Sequence, residues 1–420
     1  MNPMTGAVPT AGGPLTGMRV VEVSTFVAAP LGGMTLAQLG ADVIRVDPPG
    51  GAPDHSRWPL ADSGASIYWA GLNKEKRSLC ADLRSPEGRE LVTRLVTESG
   101  PRGGIVLTNA PLRWLGFEAL SGIRPDVIHL QITGHRDGSP AVDYTVNAEL
   151  GFPMVTGPED HDGPVNHVLP AWDVACGLYA ALGILSADLR RRETGRGQAI
   201  SLALHDVALA TAGNLGFLAE AQTGGVRQRI GNHLYGSFAR DFTSRDGRRV
   251  MVVALTASHW RDLVAVTGIK PAVTALEEAL DVDFSREGDR FTYREALAGL
   301  LQRWFGGHDL AEIRARLDGT SVLWSVYRTF SDLFEAGEDG VRANPMMAVI
   351  DQPGVGPHLA PGSPLSFSPD GVRTVSRAPV LGEHTGDILR SRLGLSPERI
   401  RELHERGVVA SPPSPTPEKS

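Results

Sequence analysis

The chain of 420 residues is 41% hydrophobic and sets 41 Lys and Arg against 48 Asp and Glu, a formal charge of −7. That length and apolar content allow a full core, divided between two domains rather than one. The acidic balance excludes a general attraction to nucleic acid or to an anionic membrane, while leaving room for local basic pockets.

The opening MNPMTGAVPTAGGPLTG (1–17) lacks the basic head and apolar stretch of a secretory signal and reads as a loose leader. No run reaches the roughly 20 apolar residues that span a bilayer, so a soluble cytoplasmic protein is expected. MRVVEVST (18–25) is predicted as a strand, GGMTLAQLG (32–40) as a helix and ADVIRVD (41–47) as a second strand. RSLCADL (77–83), GGIVLTNA (103–110) and DVIHLQITG (126–134) are strand-like, and SPEGRELVTRLVTES (85–99) is an amphipathic helix. Strand, helix and strand at this spacing imply βαβ units around a parallel sheet, hence an α/β domain over 18–225.

From 173 to about 222 the pattern is helical, broken by the turn RRETGRGQ (191–198). A smaller α/β domain is expected over 226–330, carrying the strand in DGRRVMVVALT (246–256) and helices around SHWRDLVAVTG and YREALAGLLQRWF. A return segment, 331–405, would wrap over the first domain or over a partner subunit. The end, 406–420, holds ASPPSPTPEKS and is expected to be disordered, since such a composition cannot repay its ordering entropy.

The first strand is followed by no GxGxxG, and there is no P-loop. The 12 histidines are scattered and the 2 cysteines, Cys80 and Cys176, lie far apart, which argues for a metal-free site. Two thiols also make no disulfide framework; both are expected to be reduced, with Cys176 as packing. The stretch VLPAWDVACGLYAALG (168–183) sets one aspartate, Asp173, at the start of an apolar helical run. Two readings are open: a helix N-cap, or a carboxylate used in chemistry.

Several stretches, in this order, carry a resemblance: MRVVEVSTFVAAPLGGMTLAQLGADVIRVDPPGG (18–51), NKEKRSLCADLRSPEGRELVTRLV (73–96), WDVACGLYAALGILSAD (172–188), RRETGRGQAISLALHDVAL (191–209) and LGEHTGDIL (381–389). Together they resemble the class III coenzyme A transferases, the family of formyl-CoA transferase and alpha-methylacyl-CoA racemase, over about residues 18–405. The resemblance implies a large Rossmann-like α/β domain built from both chain ends, a smaller α/β domain between them, and an interlocked homodimer. It implies no tightly bound cofactor, with coenzyme A arriving as part of the acyl-CoA substrate.

Carried over, Asp173 is the nucleophile that attacks the thioester and holds CoA as an aspartyl thioester. The racemase branch would need a histidine near SPAVDYTVN (139–147), where Val142 stands. His135 lies seven residues away, and the nearby acids Asp143 and Glu149 do not restore the racemase pair. This departure favours transfer. For the phosphates of CoA the candidates are Arg45, Lys74, Lys76 and Arg77, against the alternative of a solvated basic face. Asn109 matches the family's asparagine loop, here LTNAPLRW, where Arg113 would replace the missing positive charge. Ala28 stands where formyl-CoA transferase has a glutamine, which argues against formyl or oxalyl substrates.

A narrower likeness in VAAPLGGMTLAQLGADVIR, YWAGLNKEKRS, HRDGSPAVDYTVN and NHVLPAWD implies CoA transfer between the C1 and C4 carboxyls of one branched dicarboxylate, mesaconate. It assigns the reaction to the 3-hydroxypropionate route of carbon assimilation. Intermolecular transfer from a donor such as succinyl-CoA and racemisation remain alternatives. Arg136, Asn232, His233, Tyr235 and Arg240 are the candidates for holding the free carboxylate, and Trp172 for excluding water.

Overall fold

The computed structural model describes residues 13–335, 337, 340–368 and 373–412. Residues 1–12 of the expected leader and 413–420 of the expected tail lie outside them. The chain divides into two compact units. The first comprises Met1–Leu150, Val168–Leu215 and Gly337–Ser420; the second comprises Gly151–His167 and Gly216–Ala336.

The first unit is built on β1 (Arg19–Val23), β2 (Asp42–Asp47), β3 (Arg77–Ala81), β4 (Ile105–Thr108), β5 (Ile128–Thr133) and β6 (Gln198–Ala203). These run parallel in the order β3-β2-β1-β4-β5-β6. That is the doubly wound order, with its reversal between β1 and β4. Strands such as RVVEV and IVLT are buried along nearly their whole length, as a parallel sheet covered on both faces requires.

Both chain ends supply the core. Val21, Ile44, Leu79 and Val106 pack with Leu91, Val92 and Leu95 of the Pro86–Thr97 helix, and with Ile388, Leu389, Leu393, Leu403 and Val408 from the C-terminal part. In the second unit β7 (Phe238–Thr243), β8 (Arg249–Ala254) and β9 (Leu323–Val326) form an antiparallel sheet. Phe238, Phe242, Val250, Val252, Trp260 and Phe305 centre its core, with Phe242 and Phe305 stacked at 4.5 Å. In the return segment β10 (Met347–Gln352) pairs antiparallel with β11 (Gly356–Pro361).

Five expectations are corrected. QAISLA is β6 rather than resumed helix, because its alternating pattern extends the ladder from β5. Residues 406–410 are ordered: Val409 and Ala410 form β12 (Val409–Ala410), antiparallel to β3, with Val408 and Val409 buried. Part of the leader is pinned too, since the Leu15 amide donates to the Leu39 carbonyl at 3.0 Å. Finally, a helix long and apolar enough to cross a membrane does exist among the described residues, Ala171–Thr194. Its buried residues include Cys176, Gly177, Ala180, Ala181 and Ile184, which pack it into the first unit. The Gly151–His167 stretch belongs to the second unit, so the chain passes between the units more often than a single 226–330 insertion implies.

Candidate active site

The Ala171–Thr194 helix lies against the Ala28–Gln38 helix at unusually close range. A Cβ on Gly177 would sit 2.7 Å from the Ala28 carbonyl oxygen and 3.0 Å from Leu31 Cβ. One on Gly32 would sit 2.9 Å from the Gly177 carbonyl oxygen and 3.3 Å from Ala180 Cβ. Contacts advance together along both helices, so the two run in the same sense. Asp173, one turn before Gly177, therefore stands beside the connection that leaves the carboxyl end of β1. In a doubly wound sheet that edge, at the reversal of strand order, is where ligands bind.

Asp173 is not the cap. The N-cap residue of its helix is Pro170, which has no side-chain cap bond, and Asp173 lies in the first turn. Capping comes from elsewhere in the chain: Asp143 Oδ2 accepts from the Trp172 amide at 2.7 Å and from the Asp173 amide at 3.2 Å. A fixed anion at the amino end of a helix is also favoured by the helix dipole. Asp143 is 2% exposed, and its Oδ1 is buried without a hydrogen-bond partner among the described residues. Trp172 is buried beside it and its indole donates to Asn147 Oδ1 at 3.1 Å.

The Asp173 carboxylate itself accepts no hydrogen bond from the described residues. Burial pushes its carboxyl up to about 7, the charge of Asp143 adds to the rise, and Arg57 opposes it. Burial likewise raises the Tyr68 hydroxyl to about 12, with Arg57 opposing and Asp173 contributing. Burial and Asp173 lift the Cys176 thiol to about 12, leaving it an inert packing group. An aspartate that ionises near neutrality, without donors to weaken it, is suited to attack an activated carbonyl.

The residues expected at the CoA phosphates are largely spent inside the fold. Arg45 is fully buried. Its guanidinium donates to Asp47 at 3.0 and 3.1 Å, to Asp54 at 3.0 Å and to Asn73 at 3.0 Å. Burial alone would lower its pKa, but Asp47, Glu22 and Asp54 raise it instead. Lys76 uses its three protons on Glu22 Oε1 at 2.9 Å, the Pro30 carbonyl at 2.8 Å and Asn73 Oδ1 at 2.8 Å. Neither presents a donor to a ligand; both neutralise acids beneath the carboxyl ends of β1 and β2.

Lys74 is also buried, donates to the Gly71 carbonyl at 2.5 Å, and is pulled by desolvation down to about 8. Arg77 is half-turned outward but bridges Asp42 at 3.4 Å and Asp387 at 2.7 Å. Asn109, just past β4, exchanges hydrogen bonds with the Thr25 backbone, accepting at 3.1 Å and donating at 2.9 Å. It thus ties together the two connections that flank the strand-order reversal. Arg113 is exposed at the same edge, with no ion pair among the described residues.

Arg136 is paired with Asp206 at 2.7 Å on the surface, its side chain 84% exposed. Asn232, His233, Tyr235 and Arg240 belong to the second unit and are tied to one another's neighbours. Asn232 donates to Asp241 at 3.0 Å, and Tyr235 donates to Glu220 at 2.5 Å. His233 and Arg240 both meet Glu295, at 2.6 and 2.5 Å. His135 faces Glu149 at 3.0 Å, which raises its pKa, and Val142 precedes the capping Asp143. No sequence pattern singled out Asp143 as the cap of the helix bearing Asp173, nor Arg57 and Tyr68 as its electrostatic neighbours. The spacing of thirty residues between Asp143 and Asp173 was the one available signal.

A doubly wound unit with a half-buried, unbonded carboxylate at its switch edge defines a class of site for covalent acyl chemistry. The chain belongs to CoA-transferase family III, whose model matches residues 15–385. It is 49% identical to the 2-methylfumaryl-CoA isomerase of Chloroflexus aurantiacus, over 95% of this chain and 98% of that protein. It is 29% identical to the succinyl-CoA:mesaconate CoA-transferase of Haloarcula hispanica, over 90% of this chain and 96% of that one. Among solved structures, a CAIB/BAIF family protein from Brucella suis superposes with a TM-score of 0.73 at 29% identity, covering 90% of this chain and 99% of its own.

Proposed function

We propose that the chain is an enzyme that moves coenzyme A within one molecule, converting 2-methylfumaryl-CoA (mesaconyl-C1-CoA) to 3-methylfumaryl-CoA (mesaconyl-C4-CoA). The likeness to the Chloroflexus isomerase supports the substrate. The nucleophile is supported by one observation above the rest: Asp173, at the switch edge, is half-buried and free of hydrogen bonds from the described residues.

In the cycle Asp173 attacks the C1 thioester carbonyl, expelling CoA thiolate and forming a mixed anhydride. The thiolate then adds to the aspartyl carbonyl, releasing the dicarboxylate and leaving an aspartyl-CoA thioester. The C4 carboxylate attacks that thioester and expels the thiolate again, giving an anhydride at C4. Addition of the thiolate at C4 regenerates Asp173. Each step exchanges one acyl leaving group for another, so the activation of the original thioester is kept. Trp172, buried beside the nucleophile, restricts water that would hydrolyse the anhydride.

Arg113, exposed beside the Asn109-linked connections, is the cation best placed in the first unit for a CoA phosphate. Leu178, Leu182 and Leu189, 52%, 57% and 63% exposed along one helix, support an interlocked homodimer that would cover them. The enzyme would act in the cytoplasm, within carbon assimilation by the 3-hydroxypropionate route. The test incubates purified protein with 2-methylfumaryl-CoA and no free acid. Formation of the C4 thioester is expected; strict dependence on an added carboxylate would replace isomerisation with intermolecular transfer from a donor such as succinyl-CoA.

A further inference from the structure

A dicarboxyl thioester brings its own free carboxylate into a site that already holds Asp173 and the buried Asp143. Crowding three anions requires a cation that is not already committed to the fold. Arg45 and Lys76 are committed to buried acids, Arg77 to Asp42 and Asp387, and Arg136 to Asp206.

Arg57 differs. Its side chain is exposed, and among the described residues it makes neither an ion pair nor a side-chain hydrogen bond. Its backbone, by contrast, is clamped. The Arg57 amide donates to the Asp54 carbonyl at 3.2 Å, and its carbonyl accepts from Ser66 Oγ at 2.6 Å. Ser66 caps the Ile67–Leu72 helix that carries Tyr68. The buried Asp54, held by Arg45, also accepts from the Phe26 amide at 3.0 Å. That bond fixes Phe26 at φ 67°, a left-handed backbone that a phenylalanine rarely adopts.

The result is a guanidinium lying 5.6 Å from the Phe26 ring centre and 5.2 Å from that of Tyr68. Phe26 lies in the β1 connection beside which Asp173 stands, and Arg57 acts on the charge of both Asp173 and Tyr68. Stacking on aromatic faces orients the planar fork while leaving its N–H edge free.

We propose that Arg57 is the anchor for the free carboxylate of the dicarboxyl-CoA substrate, holding C4 while C1 reacts and C1 while C4 reacts. The assignment rests on the isomerase reading for the substrate, but its test is separate. Two unreactive thioethers would be used, S-(3-carboxypropyl)-CoA and S-(3-carbamoylpropyl)-CoA, which differ in the charge of the distal group. Direct titration should show the wild type favouring the carboxylate about 10–100-fold, the range of a charge-assisted pair. Arg57→Gln should reduce the preference to within about threefold by losing carboxylate affinity alone, and Arg57→Lys should keep part of it. Should the Gln variant fail to fold, the Lys variant serves for the comparison. A preference unchanged in both variants, or absent from the wild type, overturns the assignment. A wild type that keeps the preference but does not isomerise 2-methylfumaryl-CoA overturns the isomerase reading and leaves Arg57 as a carboxylate anchor.

Discussion

Asp173→Asn keeps the shape of the side chain and deletes its charge. Burial first and Asp143 second push the Asp173 carboxyl from 3.8 to about 7 in the folded protein. Between those two values the native state binds a proton that the unfolded chain has lost, so stability falls as pH rises. Each pH unit in that window weakens the wild type by about 1.4 kcal/mol, and the whole window by at most about 4 kcal/mol. The loss begins near pH 4, is complete near pH 7 and is constant above. Asparagine carries no such penalty.

Urea unfolding of both proteins between pH 5 and 8.5 reads the difference. The variant should gain on the wild type by about 2 kcal/mol from pH 5 to 7, with less than about 0.5 kcal/mol of further gain above. Exchange activity, which needs the ionised carboxylate, should rise over the same window in the wild type and vanish in the variant. A stability gap that is flat from pH 5 to 8.5 would refute the desolvated, unbonded state of Asp173.

Three other outcomes can be checked. Asp143→Asn removes the charge that raises the Asp173 pKa, so the acid limb of the pH–rate profile should move to lower pH; Asp143→Ala should cost about 1–3 kcal/mol in urea unfolding by orphaning two amides. Arg45→Met strands Glu22, Asp47 and Asp54 and should destabilise by about 3–5 kcal/mol, whereas a loss of CoA affinity at unchanged stability would restore Arg45 to the phosphate site. Gly177→Ala forces apart two backbones in contact and should lower stability by about 1–3 kcal/mol, together with turnover, because the displaced helix carries Asp173.

The parallel sheet was legible because apolar strands and amphipathic helices alternate at βαβ spacing, and the position of Asp173 because the apolar run begins there. Arg45 was misplaced because local sequence shows a cation but not its register. Across the ladder it faces Glu22, and each is flanked along its strand by apolar residues, Ile44 and Val46 beside Arg45 and Val21 and Val23 beside Glu22, a pairing that marks a buried ion network. The tail was misjudged from averaged composition: the VVA of RGVVA is enough to add a strand, although the residues beyond it are polar. The cap from Asp143 and the contact of Arg57 with Phe26 each depend on residues about thirty apart, which no local pattern encodes.

The cap supplied by Asp143 has a consequence for the life of the covalent enzyme. In the proposed cycle the Asp173 carboxylate passes through an anhydride, a thioester and a second anhydride in every turnover. A capping aspartate so modified would lose its anionic acceptor each time, loosening the first turn by about 1 kcal/mol just when the intermediate must be shielded from water. Here the residue that is consumed and the residue that secures the helix are different. The first-turn amides keep their acceptor in every chemical state of the nucleophile, so acyl groups can come and go without uncapping the helix.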